Sequence, residues 1–149
     1  MSNNWLQFIP SDPNFQPLLQ AAEKAKVLLA AFVPGADEVT ITFTDTVEFV
    51  HPGGNWSGVR CPACGADAEP WWKDAMALSY TTKFSDLKVA APCCGACVSL
   101  NDLNYAWPAG FAKFVIEAMN PDVKDLGPDQ VRQLSECLGC AVRRIWVHI

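Results

Sequence analysis

Seven cysteines fall into three tight groups: Cys61-Pro62-Ala63-Cys64, Cys93-Cys94-Gly95-Ala96-Cys97 and Cys137-Leu138-Gly139-Cys140. The opening residues, Met1-Ser2-Asn3-Asn4-Trp5, contain no basic region followed by an apolar stretch, so no secretory leader is expected. The expected compartment is the cytoplasm, where thiols stay reduced, and an odd number of cysteines would leave one outside any disulfide framework. Two residues between cysteines let a single turn aim both sulfurs at one ion. Gly65 after Cys64 permits the left-handed backbone that closes such a turn. Two turns brought together supply four thiolates in a tetrahedron, a donor set that suits zinc. The candidate metal ligands are Cys61, Cys64, Cys94 and Cys97, with Cys93 as an alternate because Gly95 follows Cys94 directly.

The segment Cys61-Pro62-Ala63-Cys64-Gly65 resembles the knuckle of a zinc ribbon, and Cys94-Gly95-Ala96-Cys97 supplies a second one. The resemblance covers residues 59–98 and implies a structural zinc closed by four thiolates. The surplus Cys93 departs from the pattern and leaves a Cys93/Cys94 ligand pair open as the alternative. A redox couple is the rival for such spacing, but that motif sits at a helix start in a βαβ setting. Between the knuckles, 69–76 reads as a short helix entered through Pro70. Cys137 shares a helical stripe with Val131, Leu134 and Leu138, ended by Gly139, so it reads as core rather than ligand.

The remaining framework alternates between strand and helix periods. Residues 5–9 predict a short strand, and 17–33 a helix with Leu18, Leu19, Ala22, Ala25, Leu29 and Phe32 on one stripe before Pro34-Gly35. Val39, Ile41 and Phe43 alternate with Thr40, Thr42 and Thr44 as a strand, continuing through Val47 and Phe49 after a turn or bulge at Asp45-Thr46. A further strand is expected at 87–91. Phe111, Phe114, Val115, Ala118 and Met119 fall at helical spacing, stopped by Asn120-Pro121, and another helix is expected over 128–138. Ile145, Val147 and Ile149 alternate with Arg144, Trp146 and His148 in a last strand. The order predicts an α+β, ferredoxin-like (split βαβ) sandwich in a single domain over 1–149, with a zinc-binding insert at 59–98. No internal repeat is evident.

Charge narrows the function. There are 11 Lys and Arg against 16 Asp and Glu, a net −5, and −4 of it lies in residues 1–58. That balance disfavours a nucleic-acid binder, whose affinity comes from clustered cations. No apolar run approaches a membrane span, so no membrane partner is expected. Phosphate-cradling glycine patterns are absent, and a full thiolate set leaves a zinc no open position for hydrolysis. His51 and His148 read as surface residues, and Asp102, Asn104 and Tyr105 as cap and turn residues. Trp56, Trp71, Trp72 and Trp107 flank the cysteines as core or as anchors for a partner. Trp71 and Trp72, adjacent on a helix, cannot both point inward. The expectation is a non-enzymatic, zinc-stabilised protein-binding module with a basic protein partner; an inhibitor or immunity protein fits that size and charge. The alternatives are a zinc-ribbon nucleic-acid-binding or transcription-associated factor, and an enzyme with a site on the sheet around His51, Asp102 and Tyr105.

Overall fold

The computed structural model describes residues 2–149. Its elements run β1 (Asn4–Pro10), α1 (Leu19–Phe32), β2 (Glu38–Val50), β3 (Val59–Arg60), α2 (Glu69–Tyr80), β4 (Lys88–Ala90), β5 (Cys97–Ser99), β6 (Asn104–Tyr105), β7 (Gly110–Met119), α3 (Pro128–Leu138) and β8 (Val142–His148). Four of the strands form one open antiparallel sheet in the order β2-β7-β1-β8. The architecture is mixed helix and sheet, with α1 and α3 packed on one face of it.

Period-two alternation drives the sheet. Leu6 and Phe8 of β1 and Phe114, Ile116 and Ala118 of β7 face the helices, meeting Ala22, Ala25 and Leu29 of α1 and Leu134 and Leu138 of α3. α1 buries less than its sequence stripe suggests, because Leu18 and Leu19 at its start are 79% and 60% exposed. The α3 stripe is buried as its spacing requires, with Gly139 at φ +80° ending the helix. On the opposite face Ile9, Ala112, Ile145 and Val147 form a smaller apolar cluster. In β2 the register against β7 slips between Phe43 and Glu48, so Asp45-Thr46 lies in a bulge rather than a turn.

Two expectations need correction. The segment predicted as the clearest amphipathic helix is the strand β7, central in the sheet between β2 and β1. The strand expected at 87–91 is not part of that sheet; as β4 it pairs only with β5 in a two-stranded ribbon. The chain thus leaves the sheet after β2 and returns at β7. The excursion holds the cysteine turns, α2 and the short β3/β6 and β4/β5 ribbons.

That excursion has its own apolar centre: Val59, Ala68, Phe84, Leu100 and Leu103 gather on Val47 and Phe111 of the sheet. Trp71 and Trp72 both pack against it, half-buried, because the centre wraps around α2 far enough to meet neighbouring positions. A polar clamp joins excursion to sheet. Buried Asn101 accepts the Phe111 N–H at 3.0 Å through Oδ1 and donates through Nδ2 to the Ser11 carbonyl at 3.1 Å. Arg143 Nη1 on β8 donates to the Asn101 and Ala109 carbonyls at 2.7 and 2.9 Å.

Candidate metal centre

Each cysteine turn is closed by the same two backbone bonds. In the first, Cys61 N–H donates to Ala66 O at 2.9 Å and Gly65 N–H to Cys61 O at 2.9 Å. In the second, Ala91 N–H donates to Ala96 O at 2.8 Å and Gly95 N–H to Ala91 O at 2.7 Å. Gly65 and Gly95 occupy the left-handed region at φ +76° and +75°. The two turns are thus copies: Pro62, Cys64, Gly65 and Ala66 correspond to Pro92, Cys94, Gly95 and Ala96, each thirty positions on. The one-residue bridge Arg60–Asp67 that flanks the first corresponds to the Ala90–Cys97 pair that flanks the second.

This correspondence places every sulfur. The sulfurs of Cys61, Cys64, Cys93 and Cys94 all lie within 4.8 Å of one another. Cys61 and Cys94 approach to 3.8 Å, Cys64 and Cys93 to 3.4 Å. A tetrahedral zinc with Zn–S bonds of about 2.3 Å sets its sulfurs about 3.8 Å apart, so the donors fit such an ion in type and spacing. The gathered set is therefore the alternate one. Cys97, the expected fourth ligand and the counterpart of Asp67, stands in the ladder opposite Ala90, beyond the turn and outside the group. Where the second turn would repeat Cys61 it has the buried Ala91, and Cys93 brings the missing sulfur from the exposed side instead.

The thiols polarise one another. A hydrogen bond from the Cys64 backbone holds the Cys61 thiol down at about 7. Desolvation, and then the Cys64 and Cys61 sulfurs, push Cys93 up to about 12. At Cys94 a hydrogen bond from the Ala96 backbone favours the thiolate, but desolvation and the same two sulfurs raise it on balance. Packing several sulfurs this closely penalises more than one negative charge, and a divalent cation among them removes that penalty.

The other candidates have structural partners. Cys137 and Cys140 pack against the main core; Cys137 Sγ points at the Ala21 carbonyl, 3.7 Å away, and burial pushes the Cys140 thiol up. His51 Nδ1 accepts the Gly53 N–H at 2.8 Å, the ring stacks on Trp56 at 5.2 Å, and desolvation lowers its pKa. Tyr105 donates to the Leu100 carbonyl at 2.7 Å and accepts from Trp72 Nε1 at 3.3 Å; burial raises its hydroxyl to about 12. Asp102 faces Arg143 at 3.8 Å. His148 Nδ1 lies 2.7 Å from Asn4 Oδ1. Of the tryptophans, Trp107 is the exposed one, at 41%.

No family model matches the chain, and no curated protein or solved structure does either. Among the described residues, no helix is long and apolar enough to cross a membrane.

Proposed function

We propose that the chain is a cytoplasmic, non-enzymatic, zinc-stabilised protein-binding module. It is read as a ferredoxin-like split-βαβ sandwich with a zinc-ribbon-like insert. The strand order β2-β7-β1-β8, with a helix after β1 and another after β7, supports the first half of that reading. The duplicated turns support the second. The observation that carries it is the convergence of Cys61, Cys64, Cys93 and Cys94 from two distant turns. Four soft thiolates favour zinc over hard cations, and a complete thiolate set leaves the ion no vacancy for a reacting water. With His51, Asp102 and Tyr105 each held by structural partners, the zinc acts by ordering the insert rather than by chemistry.

The −4 carried by residues 1–58 supports reading the partner as a protein of basic character, as for an inhibitor or immunity protein. The same charge argues against a nucleic-acid partner. Metal analysis of freshly reduced protein tests the zinc reading. It is expected to find one zinc per chain, lost in Cys61→Ser. Metal-free protein that is nonetheless fully folded, or iron in the site, overturns it. Salt-sensitive binding of an oligonucleotide would overturn the choice of partner.

A further inference from the structure

A sheet edge presents unpaired N–H and C=O groups, and this sheet treats its two edges differently. At the end of β8 the 52–55 loop is already docked on His148. Gly54 N–H donates to the His148 carbonyl at 2.6 Å, and His148 N–H to that of Pro52 at 3.3 Å. Gly53 permits the approach, since a Cβ there would lie 2.4 Å from the His148 oxygen. Along β2, residues Glu38–Phe43 pair with β7 on one side, and among the described residues no strand of the sheet lies on the other. In an antiparallel ladder every second residue turns its N–H and C=O outward. The regular stretch ends at the bulge, where Gln16 Nε2 donates to the Thr44 and Lys113 carbonyls at 2.9 and 3.1 Å.

A groove of about 550 Å³ lies at the start of this edge, between Glu38 and Val39, the 33–37 connection and α1. Val27, Ala30 and Val39 supply apolar walls, and Val27 is 71% exposed. The charged residues lining it are Glu23, Asp37 and Glu38 against Lys26 alone, and none of the four forms an ion pair among the described residues.

We infer that this groove takes an extended segment of a partner protein, added to β2 as a further strand, with basic side chains flanking apolar ones. Main-chain bonds to the β2 edge give the affinity, and alternate side chains read the groove. Apolar side chains cover Val27 and Val39, while basic ones meet Glu23, Asp37 and Glu38. A second copy of the chain is the poorer occupant. Its own β2 has no Lys or Arg to meet Glu23, Asp37 and Glu38. This inference rests on the protein-binding reading and names where that partner sits.

The test uses the full, zinc-loaded chain and a short acetylated, amidated peptide of alternating Val and Arg, followed through backbone amide shifts. Expected are shifts confined to Glu38–Phe43 and the facing side of α1. Val27→Lys or Glu38→Lys, both at exposed positions, should weaken binding about tenfold. The same peptide N-methylated at alternate residues should not bind. No binding, binding indifferent to N-methylation or to both substitutions, or self-association of the chain through β2 overturns the inference. Shifts centred elsewhere, such as at Trp107, sink the groove while leaving a protein-binding module standing. Tight, salt-sensitive oligonucleotide binding by the same sample sinks both.

Discussion

Ala91 and Cys93 decide which thiols gather. In the first turn the buried leading position is a cysteine and the third residue an alanine; in the second the two have exchanged roles. The expected outcome is an asymmetric response to substitution. Cys93→Ser should abolish stoichiometric zinc, because a hydroxyl is a poor replacement for a thiolate in a soft site. Cys97→Ser should leave one zinc per chain with unchanged affinity. Titration against a chromophoric chelator separates the two, and equal losses would return Cys97 to the ligand set. That Cys61 and Cys64 share one turn was legible from spacing alone. The choice between Cys93 and Cys97 was also present in the sequence, in the thirty-residue offset that matches Pro62, Cys64 and Gly65 to Pro92, Cys94 and Gly95. Counting two residues between cysteines hides that offset, since Cys94 to Cys97 has the right gap in the wrong place. A turn is specified by its proline and glycine as much as by its ligands.

Among the elements, β7 shows how periodicity misleads. A central strand with apolar cover on both sides reads as a near-continuous apolar run rather than an alternation. Phe111, Phe114, Val115, Ala118 and Met119 fall at helical spacing, yet the burial alternates: Ala112, Phe114, Ile116 and Ala118 are buried, and Lys113, Val115, Glu117 and Met119 half-buried. Strands with one more polar face, such as β2 with its threonines and β8 with Arg144 and His148 opposite Ile145 and Val147, were legible for the opposite reason. Phe111→Ala should cost about 3–5 kcal/mol in chemical denaturation, since the ring is fully buried. It should also weaken zinc binding, because Phe111 packs against Phe49 and Phe84 at 5.0 and 5.1 Å, in the centre of the cysteine-bearing region. A substitution that costs stability but leaves zinc affinity intact would mean that region stands without the sheet. Asn101→Ala is the polar counterpart. It leaves the Phe111 N–H without its acceptor and removes one oxygen from Arg143, a loss of about 1–3 kcal/mol. No sequence pattern marks Asn101, because its three partners come from distant parts of the chain.

For the whole molecule the question is how far a metal held by the four gathered cysteines would exert its influence. The main core, with Leu6, Phe8, Leu29, Phe114, Ile116 and Leu134, contains none of the four gathered cysteines and is built on strands of seven to thirteen residues. Beyond it, β3 to β6 are two or three residues long, too short to persist on their own hydrogen bonds. Metal-binding energy is folding energy for such a segment. Chelation of the reduced protein should therefore release the turns first. The amides of Cys61, Gly65, Ala91 and Gly95, each bonded only within its turn, should lose exchange protection, while those of β1 and β7 keep theirs. Acidification should do the same, because protons compete with zinc for every thiolate and metal affinity falls with pH. Hydrogen exchange with and without chelator measures the boundary. If β1 and β7 lose protection together with the turns, the Asn101–Arg143 clamp and the Phe111 contacts bind sheet and excursion into one cooperative unit, and the zinc holds up the entire fold rather than one corner of it.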